Sequence, residues 1–86
     1  MLTVVNQRGL HARASAKFVT AVADLDPGTS VRVAKGANEA AGGSILGLMM
    51  LGAAKGDSIE VIVSGTDNEA VLARLCAMIE DGFGED

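Results

Sequence analysis

Aromatic side chains are nearly absent. There are two phenylalanines, Phe18 and Phe83, and no tryptophan or tyrosine. That removes the stacking platform on which single-stranded nucleic acids are read. Basic charge is also scarce, with 7 Lys+Arg against 11 Asp+Glu and a net charge of −4. A phosphate-driven nucleic-acid binder needs the opposite balance, so no nucleic-acid partner is expected. Cysteine occurs once, at Cys76, which excludes an internal disulfide and any CxxC metal or redox motif. The most apolar run, Ile45 to Ala54, is ten residues long and holds two glycines. It is too short to span a bilayer, so no membrane insertion is expected. The opening MLTVVNQRGLH lacks the apolar core and cleavage site of a secretory signal. A reducing, cytoplasmic compartment is the expected location.

What is present suits one small globular domain over residues 1–86, with a thin core. Hydrophobic residues make up 49% of the chain. The chain has 14 alanines and 11 glycines, so close backbone packing is expected. Charge is unevenly spread. Residues 1–23 hold Arg8, Arg13 and Lys17 and no acid. Residues 67–86 hold six acids against Arg74 alone. One end can attract an anion that the other repels.

Hydrophobic periodicity sets the elements. Residues 2–5 are β-prone. From Ala12 the period changes to helical, with Ala14, Phe18, Ala21, Val22 and Leu25 on one stripe. Asp26-Pro27-Gly28 stops it. Residues 29–34 alternate as a strand with Val31 and Val33 inward. Lys35-Gly36 turns the chain into a short strand at 37–41. Ser44 has the residue type of an N-cap for a two-turn helix, with Gly52 at its end. Residues 58–64 give the clearest strand, and Thr66 with Glu69 has capping-box spacing before a last helix. That helix carries Val71, Leu72, Leu75, Met78 and Ile79 and ends at Gly82. Residues 83–86 are expected to form a tail. Cys76 is read as a small buried or half-buried hydrophobe, since no basic neighbour activates it. The order β-α-β-β-α-β-α suggests a two-layer α+β sandwich.

His11, the only histidine, stands at a helix start behind Gly9 and beside Arg13. A helix start offers unpaired N–H groups and partial positive charge, which suits phosphate or carboxylate. The same end charge favours a neutral imidazole, which is a nucleophile. Arg13 and the amides around Ala12 and Arg13 could hold the oxygens of a phosphoryl group on the ring. A lone histidine is nonetheless more often an ordinary surface or core residue.

Two motifs lift it above that background. Gly9-Leu10-His11-Ala12-Arg13-Ala14-Ser15 resembles the active-site signature of HPr, the phosphocarrier of the bacterial phosphoenolpyruvate-dependent phosphotransferase system. Ser44-Ile45-Leu46-Gly47-Leu48-Met49-Met50-Leu51-Gly52 resembles the family's second signature. Their spacing, the element order and the length agree with the family across essentially the whole chain.

The resemblance implies a fold, an activity and a set of roles. The fold would be an open-faced β-sandwich, α+β, with a four-stranded antiparallel sheet and three helices on one face. The chain would be a phosphocarrier rather than a turnover enzyme, and would need no cofactor or metal. His11 would accept a phosphoryl group on Nδ1 from enzyme I and pass it to a histidine of an enzyme IIA-type domain. Arg13 would contact that group. Ser44 would be the regulatory serine modified by HPr kinase/phosphorylase. Ile45, Leu46 and Met49 would dock partners. A monomer is expected from size and family. Ala14 stands where the family often has proline, and Gly43 where a basic or polar residue often precedes the serine. The Ser44 run resembles the regulatory, nitrogen-related branch as much as the sugar-transport branch. A phosphorylation-switched binding module is therefore the alternative. An unrelated ferredoxin-like ligand or metal domain lacks its expected cysteines, histidines and aromatics.

Overall fold

The computed structural model describes residues 2–65 and 67–84. Its elements are β1 (Leu2–Thr3), α1 (Ala12–Ala23), β2 (Ser30–Lys35), β3 (Asn38–Ala41), α2 (Ile45–Met50), β4 (Ser58–Ser64) and α3 (Asn68–Glu80). A 3₁₀ turn, Gly82–Gly84, follows. The four strands form one antiparallel sheet in the order β1-β4-β2-β3. Val33 lies opposite Val61, and Leu2 opposite Ile59.

Alternation along the strands decides which face is buried. Val31, Val33, Ile59 and Val61 turn inward, while Arg32, Glu39 and Glu60 lie on exposed positions. The helices cover the apolar face. Ala14 and Phe18 of α1, Leu48 of α2, and Val71, Leu75 and Ile79 of α3 complete the core. The sandwich is open on its other face, as expected of this fold. Cys76 is half-buried on α3.

Several boundaries differ from the sequence reading, and β2 and β3 each begin one residue later than expected, at Ser30 and Asn38. The regular pairing of β1 stops at Thr3. Val4 still bonds across, donating its N–H to the Asp57 carbonyl (2.9 Å) and accepting from Gly56 N–H (2.8 Å). α1 ends at Ala23, and Leu25 closes a separate turn onto Val22 (3.1 Å), because Asp26 must leave the helical region ahead of Pro27. α3 begins after Asp67, which is left-handed at φ 57 and makes no side-chain cap bond. The expected cap at Thr66 lies outside the described residues.

The expected tail is corrected at Phe83. It is buried, at 3% exposure, in the closing 3₁₀ turn. Burying a phenylalanine is worth about 2 kcal/mol, enough to carry its left-handed φ of 59 between two glycines also at positive φ. Lys17 Nζ of α1 donates to the Phe83 carbonyl at 2.7 Å and ties this turn to the helix. That is a structural use for a cation which the sequence alone left on the surface.

Candidate functional site

The site begins with how the chain reaches His11. Gly9 adopts φ +62, and its backbone lies so close to the Ala53 carbonyl and Ala54 that a Cβ would overlap them. Only glycine combines that conformation with that approach. Leu10 then donates its N–H to the Ala53 carbonyl at 3.0 Å. The loop before the histidine is thereby seated against the segment following α2.

His11 is the N-cap of α1, extended at φ −76 and ψ −178. Its carbonyl accepts the Ser15 N–H at 2.9 Å, the first helical bond. Its Nδ1 accepts the Arg13 N–H at 3.2 Å. An acceptor nitrogen carries a lone pair rather than a proton, so this geometry assigns the neutral ring's proton to Nε2. Nδ1 is thus aimed at the helix-start amides. No acid stands in the first turn of α1 to offset their partial charge. His11 is half-buried, and Ala12 and Arg13 are exposed at the first two helical positions. These three sequence-selected residues come together as one group.

Ser44 is the N-cap of α2. Its Oγ accepts the Gly47 N–H at 3.0 Å. The helix buries Leu48 and exposes the rest of its apolar surface: Ile45 at 42%, Leu46 at 68%, Met49 at 40% and Met50 at 77%. Met50, the most exposed, was not among the docking residues expected from sequence. An adjacent Met-Met pair on a two-turn helix already signals that one side must face outward.

The turn leading from α2 to β4 is fixed by charge. Asp57 Oδ2 accepts the Ala54 N–H at 2.9 Å and pairs with Lys35 Nζ at 3.2 Å. The Ala54 amide, and then the Lys35 ammonium, hold its carboxyl below the usual value. Lys35 also donates to the Gly52 carbonyl at 3.1 Å, where α2 ends. This turn is the platform under Gly9 and Leu10. The sequence marks a turn at Gly56-Asp57 but not its bonds to Ala54 and Lys35, nor the burial of Asn6 and Ser15 in the same region.

Known proteins share this fold and sequence pattern. The family model "PTS HPr component phosphorylation site" matches residues 1–81. The phosphocarrier protein HPr of Neisseria meningitidis serogroup B is 40% identical over 98% of this chain and 92% of its own. The phosphocarrier protein NPr of Escherichia coli K12 is 36% identical over 96% of this chain and 91% of its own. The crystal structure of HPr-C-His from Thermoanaerobacter tengcongensis superposes with a TM-score of 0.90 at 32% identity, covering 99% of this chain and 93% of that one. An open-faced sandwich with these relatives defines a phosphocarrier. This chain belongs to the HPr family of the phosphotransferase system.

Proposed function

We propose that His11 accepts a phosphoryl group on Nδ1 from phosphorylated enzyme I and passes it to a histidine of an enzyme IIA-type domain. The observation that carries this reading is the Nδ1 lone pair, which faces the Arg13 N–H at the start of α1. The bond from Nδ1 to phosphorus forms as the donor's N–P bond breaks, and the electron pair returns to the donor ring. The Arg13 N–H, released from Nδ1, then meets a phosphoryl oxygen, and the Arg13 guanidinium offers charge-assisted hydrogen bonds to the others. No cofactor enters this exchange.

Ser44 is the regulatory acceptor in this reading, the target of HPr kinase/phosphorylase. Ile45, Leu46 and Met49, with Met50, form the docking face, on a helix whose exposed side is apolar and methionine-rich. Methionine adapts to several partners, which suits a carrier that meets a donor and acceptors in turn. The carrier acts in the cytoplasm as a monomer. No helix among the described residues is long and apolar enough to cross a membrane.

A second reading places the protein in the nitrogen-related branch, as a phosphorylation-switched binding module outside sugar transport. The relatives named NPr support it beside those named HPr. Gly43, the small neighbour of Ser44, is also consistent with that branch.

The deciding experiment is intact-mass spectrometry after incubation with enzyme I and phosphoenolpyruvate. One acid-labile gain of about 80 Da is expected in the wild type and none in His11→Ala. A gain that persists in His11→Ala would falsify the assignment.

A further inference from the structure

We propose that Asn6 and Ser15 are positioning residues that set the orientation of the His11 imidazole for phosphoryl transfer. The inference rests on the reading of His11 as the acceptor. Both side chains are 0% exposed, and they are the only buried polar ones among the described residues. Burying a polar group is unfavourable unless its hydrogen bonds are replaced within the protein. What these two bond to is therefore informative.

Two peptide units lead into the histidine. In the first, the Gly9 carbonyl accepts from Asn6 Nδ2 at 2.8 Å, and the Leu10 N–H donates to the Ala53 carbonyl at 3.0 Å. In the second, the Leu10 carbonyl accepts from Ser15 Oγ at 3.2 Å. A buried side chain thus holds each unit. Gly9 makes such clamps necessary, because a glycine has no Cβ to limit its own rotation. A rotation of either unit would carry His11 with it and draw Nδ1 off the Arg13 N–H.

Neither residue is explained by the element it occupies. Ser15 lies inside α1, where alanine is the better helix former. Asn6 lies in no helix or strand, and its main-chain carbonyl already closes the turn by accepting the Gly9 N–H at 3.2 Å. The side-chain amide is an additional hold on the same residue. Misplacing a reacting group by a fraction of its reach costs rate without costing affinity.

The test measures phosphoryl acceptance from phosphorylated enzyme I by Asn6→Ala and Ser15→Ala, with enzyme I concentration varied. The maximal rate is expected to fall about tenfold in Asn6→Ala and about fivefold in Ser15→Ala. Half-saturation should be unchanged, and the phosphoryl group should still reside on His11. Nitrogen NMR of the His11 ring should show Nδ1 losing its accepted hydrogen bond in both variants. Ser15→Ala keeps a good helix former, so it decides the matter if Asn6→Ala does not fold. Folded variants with wild-type rates and unchanged ring signals would overturn the proposal. So would a change confined to half-saturation, which would place the two residues in docking. A wild type that takes up no phosphoryl group sinks the reading of His11 instead. The ring signals then judge the positioning by themselves, and unchanged signals refute it.

Discussion

At the scale of the residue, the proposed function gives one atom of His11 two tasks, capping and phosphoryl acceptance. Histidine is not a favoured N-cap, and its bond to Arg13 N–H is long at 3.2 Å. Giving that bond up costs little, about 1 kcal/mol at most, and in the proposed transfer a phosphoryl oxygen would take the place of Nδ1 as its acceptor. A better cap such as aspartate would hold the amide but could not return a phosphoryl group in the same way. Asp57 acts at the same scale, one loop away. Its carboxyl titrates below the ordinary value of 3.8, first because of the Ala54 N–H and then because of Lys35. On acidification the unfolded chain therefore takes up the proton first. The stability this carboxylate adds is complete above pH 3.8 and is lost as the pH falls through its lower folded value. Acid unfolding followed by circular dichroism should show Asp57→Asn less stable than wild type at neutral pH, with the two curves converging at low pH. Curves that stay parallel would remove Asp57 from the account. The role proposed for His11 was suggested in sequence by the motif that contains it and by the second motif at Ser44. The role of Asp57 was not, because its partners Ala54 and Lys35 sit in different segments.

At the scale of the element, α2 is a six-residue helix, too short to be stable by itself. Leu48, fully buried, anchors it from one side, and Ser44 and Gly52 close its two ends. The exposed apolar face is what remains after that anchoring. Phosphorylation of Ser44 would place negative charge at a helix start, which tolerates it. Ser44→Asp imitates this, since aspartate caps as well as serine. Its melting temperature should lie within about 3 °C of wild type, the equivalent of roughly half a kcal/mol. Loss of more than about 8 °C would show that the added charge disrupts α2 and does not act through partners. The helix, its cap and its end were all readable from Ser44, the apolar run and Gly52. Which apolar residues face outward was not, because two turns of nearly uniform hydrophobicity carry no phase. Only packing against the sheet selected Leu48 and left Met50 in solvent.

At the scale of the whole molecule, few large side chains must close a thin core. Phe18 and Phe83 are its only aromatics, at 1% and 3% exposure, and they come from opposite ends of the chain. Phe83 sits in the turn that Lys17 holds onto α1 and buries its ring in the core, so this turn is fastened to the helix that bears the candidate site. Phe83→Ala should cost about 3 kcal/mol and lower the melting temperature by at least about 12 °C in calorimetry. A drop under about 4 °C would return Phe83 to the status of a tail. The sheet order belongs to this scale as well. β4 pairs with both β1 and β2, although long stretches of chain separate them.

The sequence by itself determined the alternation of elements, the inward faces of β2 and β4, the stripe of α1 and the grouping of His11, Ala12 and Arg13. These are local properties, carried by periodicity and by residues within one turn of each other. Tertiary structure alone decided the seating of Gly9 and Leu10 on Ala53, the clamps from Asn6 and Ser15, the outward turn of Met50 and the burial of Phe83. The bonds from Asn6 and Ser15 span only three and five residues, but their burial, like the other three features, depends on segments distant in the chain meeting at contact distance, and no local pattern records that meeting.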